Sequence, residues 1–123
     1  AIMSSLASFK AVPGSESYSA SKAYVRVLGE GLRLKLAKFN IKINIICPGY
    51  VKTPLTDLND FPMPFLMSSE KAAKIIKKGL DKNKARISFP WQLYASILLI
   101  TSLPIKLSDY IFSNLPKYSK KEK

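Results

Sequence analysis

No histidine occurs in this chain of 123 residues. Its absence removes imidazole-activated nucleophiles and most zinc arrangements, so no metal site is expected and tyrosine is left as the sensible proton-exchanging side chain. A single cysteine, Cys47, excludes an internal disulfide, and at the end of an apolar run it reads as a small core residue. Acidic residues are scarce: 8 stand against 20 lysines and arginines, giving a formal net charge of +12. Such a surface attracts anionic partners. Lysines far outnumber arginines, however, and no RNA- or DNA-binding motif is present. No nucleic-acid partner is therefore expected, and a solvated lysine-rich helix face accounts for most of the charge. A clean bilayer-spanning run is also missing, because Phe89 to Ile105 is interrupted by Pro90, Gln92 and Pro104. No secretory signal is visible from Ala1 onward, which makes a cytoplasmic, reducing compartment the default.

What is present centres on Tyr18-Ser19-Ala20-Ser21-Lys22. A tyrosine and a lysine four apart on a helix share one face, and an ammonium held near a phenol favours the phenolate. Ser5, delivered from a separate upstream segment, offers a hydroxyl to hydrogen-bond a substrate oxygen while a proton moves. Ser4, beside it, reads more simply as a strand-end hydroxyl. Ile2 to Ala7 reads as a strand end running into a turn, and Ser17 to Lys38 as a long amphipathic helix. Ser15 or Ser17 can cap that helix and Asn40 can end it in a left-handed turn. Ile41 to Cys47 reads as a buried strand, leaving through Pro48-Gly49-Tyr50-Val51-Lys52-Thr53.

This ordered set closely resembles the C-terminal half of the short-chain dehydrogenase/reductase family, from Ala1 to about Leu80 and more loosely beyond. The resemblance implies an α/β fold, namely the C-terminal half of a Rossmann-type doubly wound parallel sheet. It also implies hydride transfer between NAD or NADP and a carbonyl or alcohol carbon of a small molecule. By the same resemblance Tyr18 is the general acid/base, Lys22 binds the nicotinamide ribose and supports the tyrosine, and Ser5 polarises the carbonyl. Pro48, Gly49, Val51 and Thr53 correspond to the segment gripping the nicotinamide carboxamide, through the backbone at Val51 and the hydroxyl at Thr53. The family's glycine-rich pyrophosphate turn has no counterpart, since Gly29 and Gly31 fall inside the helix. The residue that chooses NAD or NADP and the family's asparagine ahead of the serine strand are likewise without counterparts. The expectation is a fragment lacking the dinucleotide-binding half, inactive alone, with an open sheet edge and a tendency to associate. The alternative is a non-catalytic remnant or interaction module.

Two regions follow: residues 1–90 as the half-domain, and residues 91–123 as an apolar helical extension with a basic tail. Phe61 to Met67 places adaptable apolar side chains where the family carries its substrate lid, which suits a lipophilic substrate. Ser68 or Ser69 caps a helix through Leu80, and Ala85 to Phe89 is a short strand. Two association surfaces are expected: a second copy of the chain along helix 17–38, where Gly29 and Gly31 allow close approach, and an anionic membrane surface against the extension and its tail.

Overall fold

The computed structural model describes residues 1–54, 56–58 and 62–114. Strand β1 (Ile2–Met3) leads through a 3-10 turn (Leu6–Ser8) into helix α1 (Glu16–Leu36). A second 3-10 turn (Ala37–Phe39) precedes β2 (Ile45–Pro48). A third (Thr56–Leu58), helix α2 (Ser69–Asp81) and β3 (Arg86–Phe89) come next. Helices α3 (Trp91–Thr101) and α4 (Ile105–Ser113) close the described chain.

The three strands form one parallel sheet in the order β1-β2-β3, with Ile2 opposite Ile45, and Ile45 opposite Arg86. Parallel neighbours need crossovers; α1 supplies the first and α2 the second. Side chains alternate across each strand and so divide the core in two. On one face Ile45 and Cys47 pack with Leu6 from the first 3-10 turn, and with Leu93, Tyr94 and Ile97 from α3. On the other, Ile46, Ile87 and Phe89 meet Ala72, Ile75 and Ile76 of α2. Helix α3 therefore contributes directly to the core rather than standing off from it.

Local chemistry explains the boundaries. Asn40, at φ 58°, ends the turn after α1 in the left-handed conformation, and its N–H reaches the Ala37 carbonyl. Ser68 caps α2, its hydroxyl accepting from the Lys71 N–H at 3.2 Å. Ser15 holds the N-cap position of α1, but its hydroxyl donates back to the Val12 carbonyl at 2.9 Å instead of capping the helix. The strand expected from Ile41 begins only at Ile45. Just ahead of it the Ile43 carbonyl is taken by Arg33 Nη1 at 2.8 Å, whereas the Asn44 carbonyl already accepts from the Ile2 N–H of β1 at 2.8 Å, where the ladder starts. Gly29 and Gly31 also differ. A Cβ at Gly29 would meet Ile45 and Ile2 at 3.0 and 3.1 Å, whereas one at Gly31 would meet nothing within 4 Å. Close approach inside the chain thus accounts for Gly29 alone.

Among the described residues no helix is long and apolar enough to cross a membrane. Phe61 and the lysines of the basic tail lie outside the described residues.

Candidate active site

The carboxyl ends of β1 and β2 emerge side by side, because the two strands are parallel neighbours. Ser4 and Ser5 follow β1. Ser4 is buried, and its hydroxyl donates to the carbonyl of Lys22 at 2.8 Å. Ser5 is only half-buried; it caps the first 3-10 turn, with its hydroxyl oxygen accepting from the Ala7 N–H at 3.1 Å. That bond uses a lone pair and leaves the Ser5 proton available for donation. The two serines therefore divide the work: Ser4 ties the strand end to α1, and Ser5 caps the turn that follows.

Tyr18 lies in the first turn of α1 and Lys22 one turn on, both on the helix that Ser4 grips. The Lys22 ammonium sits 5.8 Å from the centre of the Tyr18 ring, within cation–π range. Tyr18 is 47 % exposed, so a molecule outside the chain can reach its hydroxyl. The Ser4 hydrogen bond thus joins the segment that carries Ser5 to the helix that carries Tyr18 and Lys22.

A second grouping follows β2. The Gly49 N–H donates to the Phe89 carbonyl at 2.7 Å, and a Cβ at this position would meet Leu93 and Pro90 at 3.0 Å. The space beside Gly49 is thereby filled by α3 and its leading proline. Val51 pairs with Met67 through the bonds Lys52 N–H to Met67 carbonyl, 2.8 Å, and Met67 N–H to Tyr50 carbonyl, 3.1 Å. Thr53 accepts from the Thr56 N–H at 3.3 Å and donates its own N–H to the Thr56 hydroxyl at 2.8 Å. Thr56 Oγ1 lies 3.0 Å from the Val51 carbonyl and 2.9 Å from that of Thr53. Thr56 went unnoticed in the sequence; the Thr-x-x-Thr spacing was the signal available, since short hydroxyl side chains readily close such turns. A shallow cleft of about 270 Å³ opens here, lined by Lys52, Thr53, Pro54 and Asp57 with the start of α2. Ser5, Tyr18 and Lys22 do not line it.

Behind the first grouping sits a charged cluster that the sequence pattern did not single out. Glu30 of α1 pairs with Arg26 at 3.0 Å and with Arg86 of β3. Both guanidinium groups lie over the Phe9 ring, at 4.5 and 5.2 Å, and Arg86 also donates to the Tyr94 hydroxyl at 3.1 Å. Partial burial pushes the Glu30 carboxyl up, but the hydrogen bonds and charges of Arg86 and Arg26 outweigh it and hold the group below the usual carboxylate range. A carboxylate lowered on folding stabilises above its unfolded value and loses that contribution as pH falls through the folded one. Glu30→Gln is therefore expected to be less stable than the parent at neutral pH, with the gap closing at an acid pH below the ordinary carboxylate range. Urea midpoints at both pH values check this; a gap of constant size would show that ionisation of Glu30 adds nothing. Cys47 is fully buried, and desolvation pushes its thiol up, away from reactivity.

Residues 1–60 match the family model described as short chain dehydrogenase. An uncharacterized oxidoreductase of Myxococcus xanthus is 42% identical over 107 residues, covering 87% of this chain and 42% of that protein. The chain spans about two-fifths of the length of such curated relatives. A short-chain dehydrogenase from Sphingobium yanoikuyae, solved with NADPH, superposes with a TM-score of 0.67 at 19% identity over 98% of this chain and 46% of that one. A short-chain dehydrogenase from Streptomyces avermitilis gives a TM-score of 0.61 at 25% identity over 89% of this chain and 48% of its own.

Proposed function

From the match of residues 1–60 to the short-chain dehydrogenase family model, we propose that this chain carries the proton-handling and nicotinamide-facing part of an NAD(P)-dependent oxidoreductase acting on a carbonyl or alcohol carbon. The observation that supports the reading is the bond from Ser4 to the Lys22 carbonyl, which ties the strand end that carries Ser5 to the helix that carries Tyr18 and Lys22. In the reducing direction Ser5 donates a hydrogen bond to the substrate carbonyl oxygen. As that oxygen gains negative charge, Tyr18 gives it its phenolic proton, and the Lys22 cation offsets the charge left on the tyrosine. A nicotinamide cofactor, when bound, would supply or take up the hydride.

The donor set suits the nicotinamide end of such a cofactor. Lys22 offers an ammonium to a ribose, and Val51 a backbone beside Thr53. The Thr53 hydroxyl accepts from Thr56 and keeps a proton to donate. Gly49 and Pro48 shape the exit from β2. No glycine-rich turn to receive the pyrophosphate occurs in the sequence, so residues 1–123 alone are expected to be inactive and to bind NADH or NADPH weakly. Phe65 and Leu66 are exposed in the segment ahead of α2, and they suit contact with a lipophilic substrate.

The test uses the complete gene product containing residues 1–123. Oxidation of NADPH and NADH is followed with a panel of aliphatic, cyclic and aromatic ketones, and in parallel nicotinamide fluorescence is titrated into residues 1–123 alone. Turnover by the complete protein together with no micromolar binding by the shorter chain is expected. No turnover with any ketone, or with the matching alcohols and NAD or NADP, would overturn the reading.

A second reading, association rather than catalysis, is favoured by the outward face of α1. Tyr24, Leu28 and Leu34 are exposed there around the open Gly31, which suits a second copy of the same helix. Trp91, Leu99, Ile105 and Tyr110 are exposed on α3 and α4, and apolar side chains of this kind suit contact with an anionic membrane surface. Sedimentation and flotation with phosphatidylserine vesicles distinguish the two.

A further inference from the structure

Tyr18, Lys22, Arg26 and Glu30 follow one another at four-residue steps along α1, so they form a single ridge on the helix. The first two belong to the proposed site; the next two do not touch it. Arg26 instead reaches back to the turn that follows Ser5. Its Nε donates to the Ser8 hydroxyl at 3.1 Å and its Nη2 to the Ser8 carbonyl at 3.4 Å. The Ser8 N–H in turn donates to the Ser5 carbonyl at 3.0 Å. On the other side of Ser5, the Ser4 hydroxyl is bound to the Lys22 carbonyl at 2.8 Å.

Ser5 is thus flanked by two ties to the helix that carries Tyr18 and Lys22. We infer that Arg26 is a positioning residue, which holds the Leu6–Ser8 turn so that the Ser5 hydroxyl stays in register with Tyr18 and Lys22. This inference rests on the oxidoreductase reading above.

The guanidinium is itself restrained. Glu30 pairs with it at 3.0 Å and Phe9 lies beneath it at 4.5 Å. Arg86 shares both Glu30 and Phe9, and it comes from β3, on the far side of β2 from β1. A long side chain held from three directions loses little further freedom on binding Ser8, which a lysine in the same place could not match. Phe9, next to Ser8, makes the aromatic support part of the same turn. A slack turn would leave Ser5 free to shift by a fraction of an ångström, and misplacement on that scale is what positioned catalytic groups do not tolerate.

The experiment compares Arg26→Met and Arg26→Lys with the parent in the complete gene product. Ketone reduction by NADPH or NADH is measured, whichever the parent uses, together with amide hydrogen exchange at Ala7, Ser8 and Phe9. Methionine keeps the stem but no donor. Its kcat is expected to fall about 20-fold while KM for the nicotinamide cofactor stays within about twofold, because only the substrate-facing serine has moved. Exchange at the three amides should quicken with that of α2 unchanged, and lysine should recover part of the kcat. An active parent whose Arg26→Met variant keeps its kcat, or keeps its exchange pattern, overturns the positioning role alone. A rise in cofactor KM matching the loss in kcat also overturns it, since that points to a general loosening. A parent with no nicotinamide-dependent turnover overturns the functional reading, and this role with it.

Discussion

Tyr18→Phe is expected to remove the proposed turnover in the complete gene product, by about a thousandfold or more, while nicotinamide binding should persist. The substitution deletes one oxygen and retains the ring. The Lys22 ammonium, 5.8 Å from the ring centre, still has an aromatic face opposite it. Because Tyr18 is about half exposed, the missing hydroxyl leaves no buried cavity, and folding stability should change little. What goes is the proton. Without it, the oxygen of the reduced substrate must develop as an alkoxide or wait for water. A thousandfold loss corresponds to about 4 kcal/mol of transition-state stabilisation, more than one ordinary hydrogen bond provides and in the range of general acid catalysis. Steady-state rates together with a fluorescence titration of NADPH and NADH check both halves of the expectation. Retained turnover would remove Tyr18 from the chemistry. Lost turnover with lost nicotinamide binding would make the residue part of the binding site instead.

The Tyr18–Lys22 pair was legible because it is a local pattern: a helical spacing fixes which residues share a face before any tertiary contact forms. The same holds for Ser68 at the start of α2 and for Asn40 after α1, where one side chain or one left-handed residue settles the boundary. The two apolar strands following the helices were legible for a similar reason. What the sequence could not reveal depends on distant partners. Ile41 to Asn44 has the composition of a strand, yet the Ile43 carbonyl is taken by the Arg33 side chain, and the Asn44 side chain donates to that of Asn83. Arg26 and Glu30 look like a surface pair at helical spacing until Arg86, from β3, and Phe9 close over them. Gly49 read as a turn glycine, and its neighbour Leu93 comes from a helix whose docking no local pattern fixes. Contacts made within one turn of helix were visible; contacts assembled across the sheet were not.

Gly79 is the sharpest case of the second kind, and it carries the largest expected effect on stability. By local rules it is a flaw in α2, since glycine inside a helix is worse than alanine by about 1 kcal/mol. A Cβ there, however, would lie 2.7 Å from both Cδ1 and Cγ1 of Ile87 and 3.0 Å from Cγ2. Ile87 is 3% exposed and sits in the core between β2 and α2, so its side chain has little room to turn aside. Gly79→Val is expected to destabilise by about 3 kcal/mol, overpacking outweighing any gain in helix propensity. Gly31→Ala is the matching control, because nothing lies within 4 Å of the added methyl, and it should stabilise by about 0.5–1 kcal/mol. Urea denaturation of both variants decides between propensity and packing. Equal gains at the two positions would show that α2 yields easily. The combination of Gly79→Val with Ile87→Ala should be less damaging than the two changes summed, since truncating Ile87 vacates the space the valine needs. Strict additivity would mean that the clash is relieved by moving the helix rather than the side chain. That outcome would reach the candidate site, because Ser68, Ser69 and Glu70 at the start of α2 line the cleft beside Thr53, and Met67 just before them pairs with Val51.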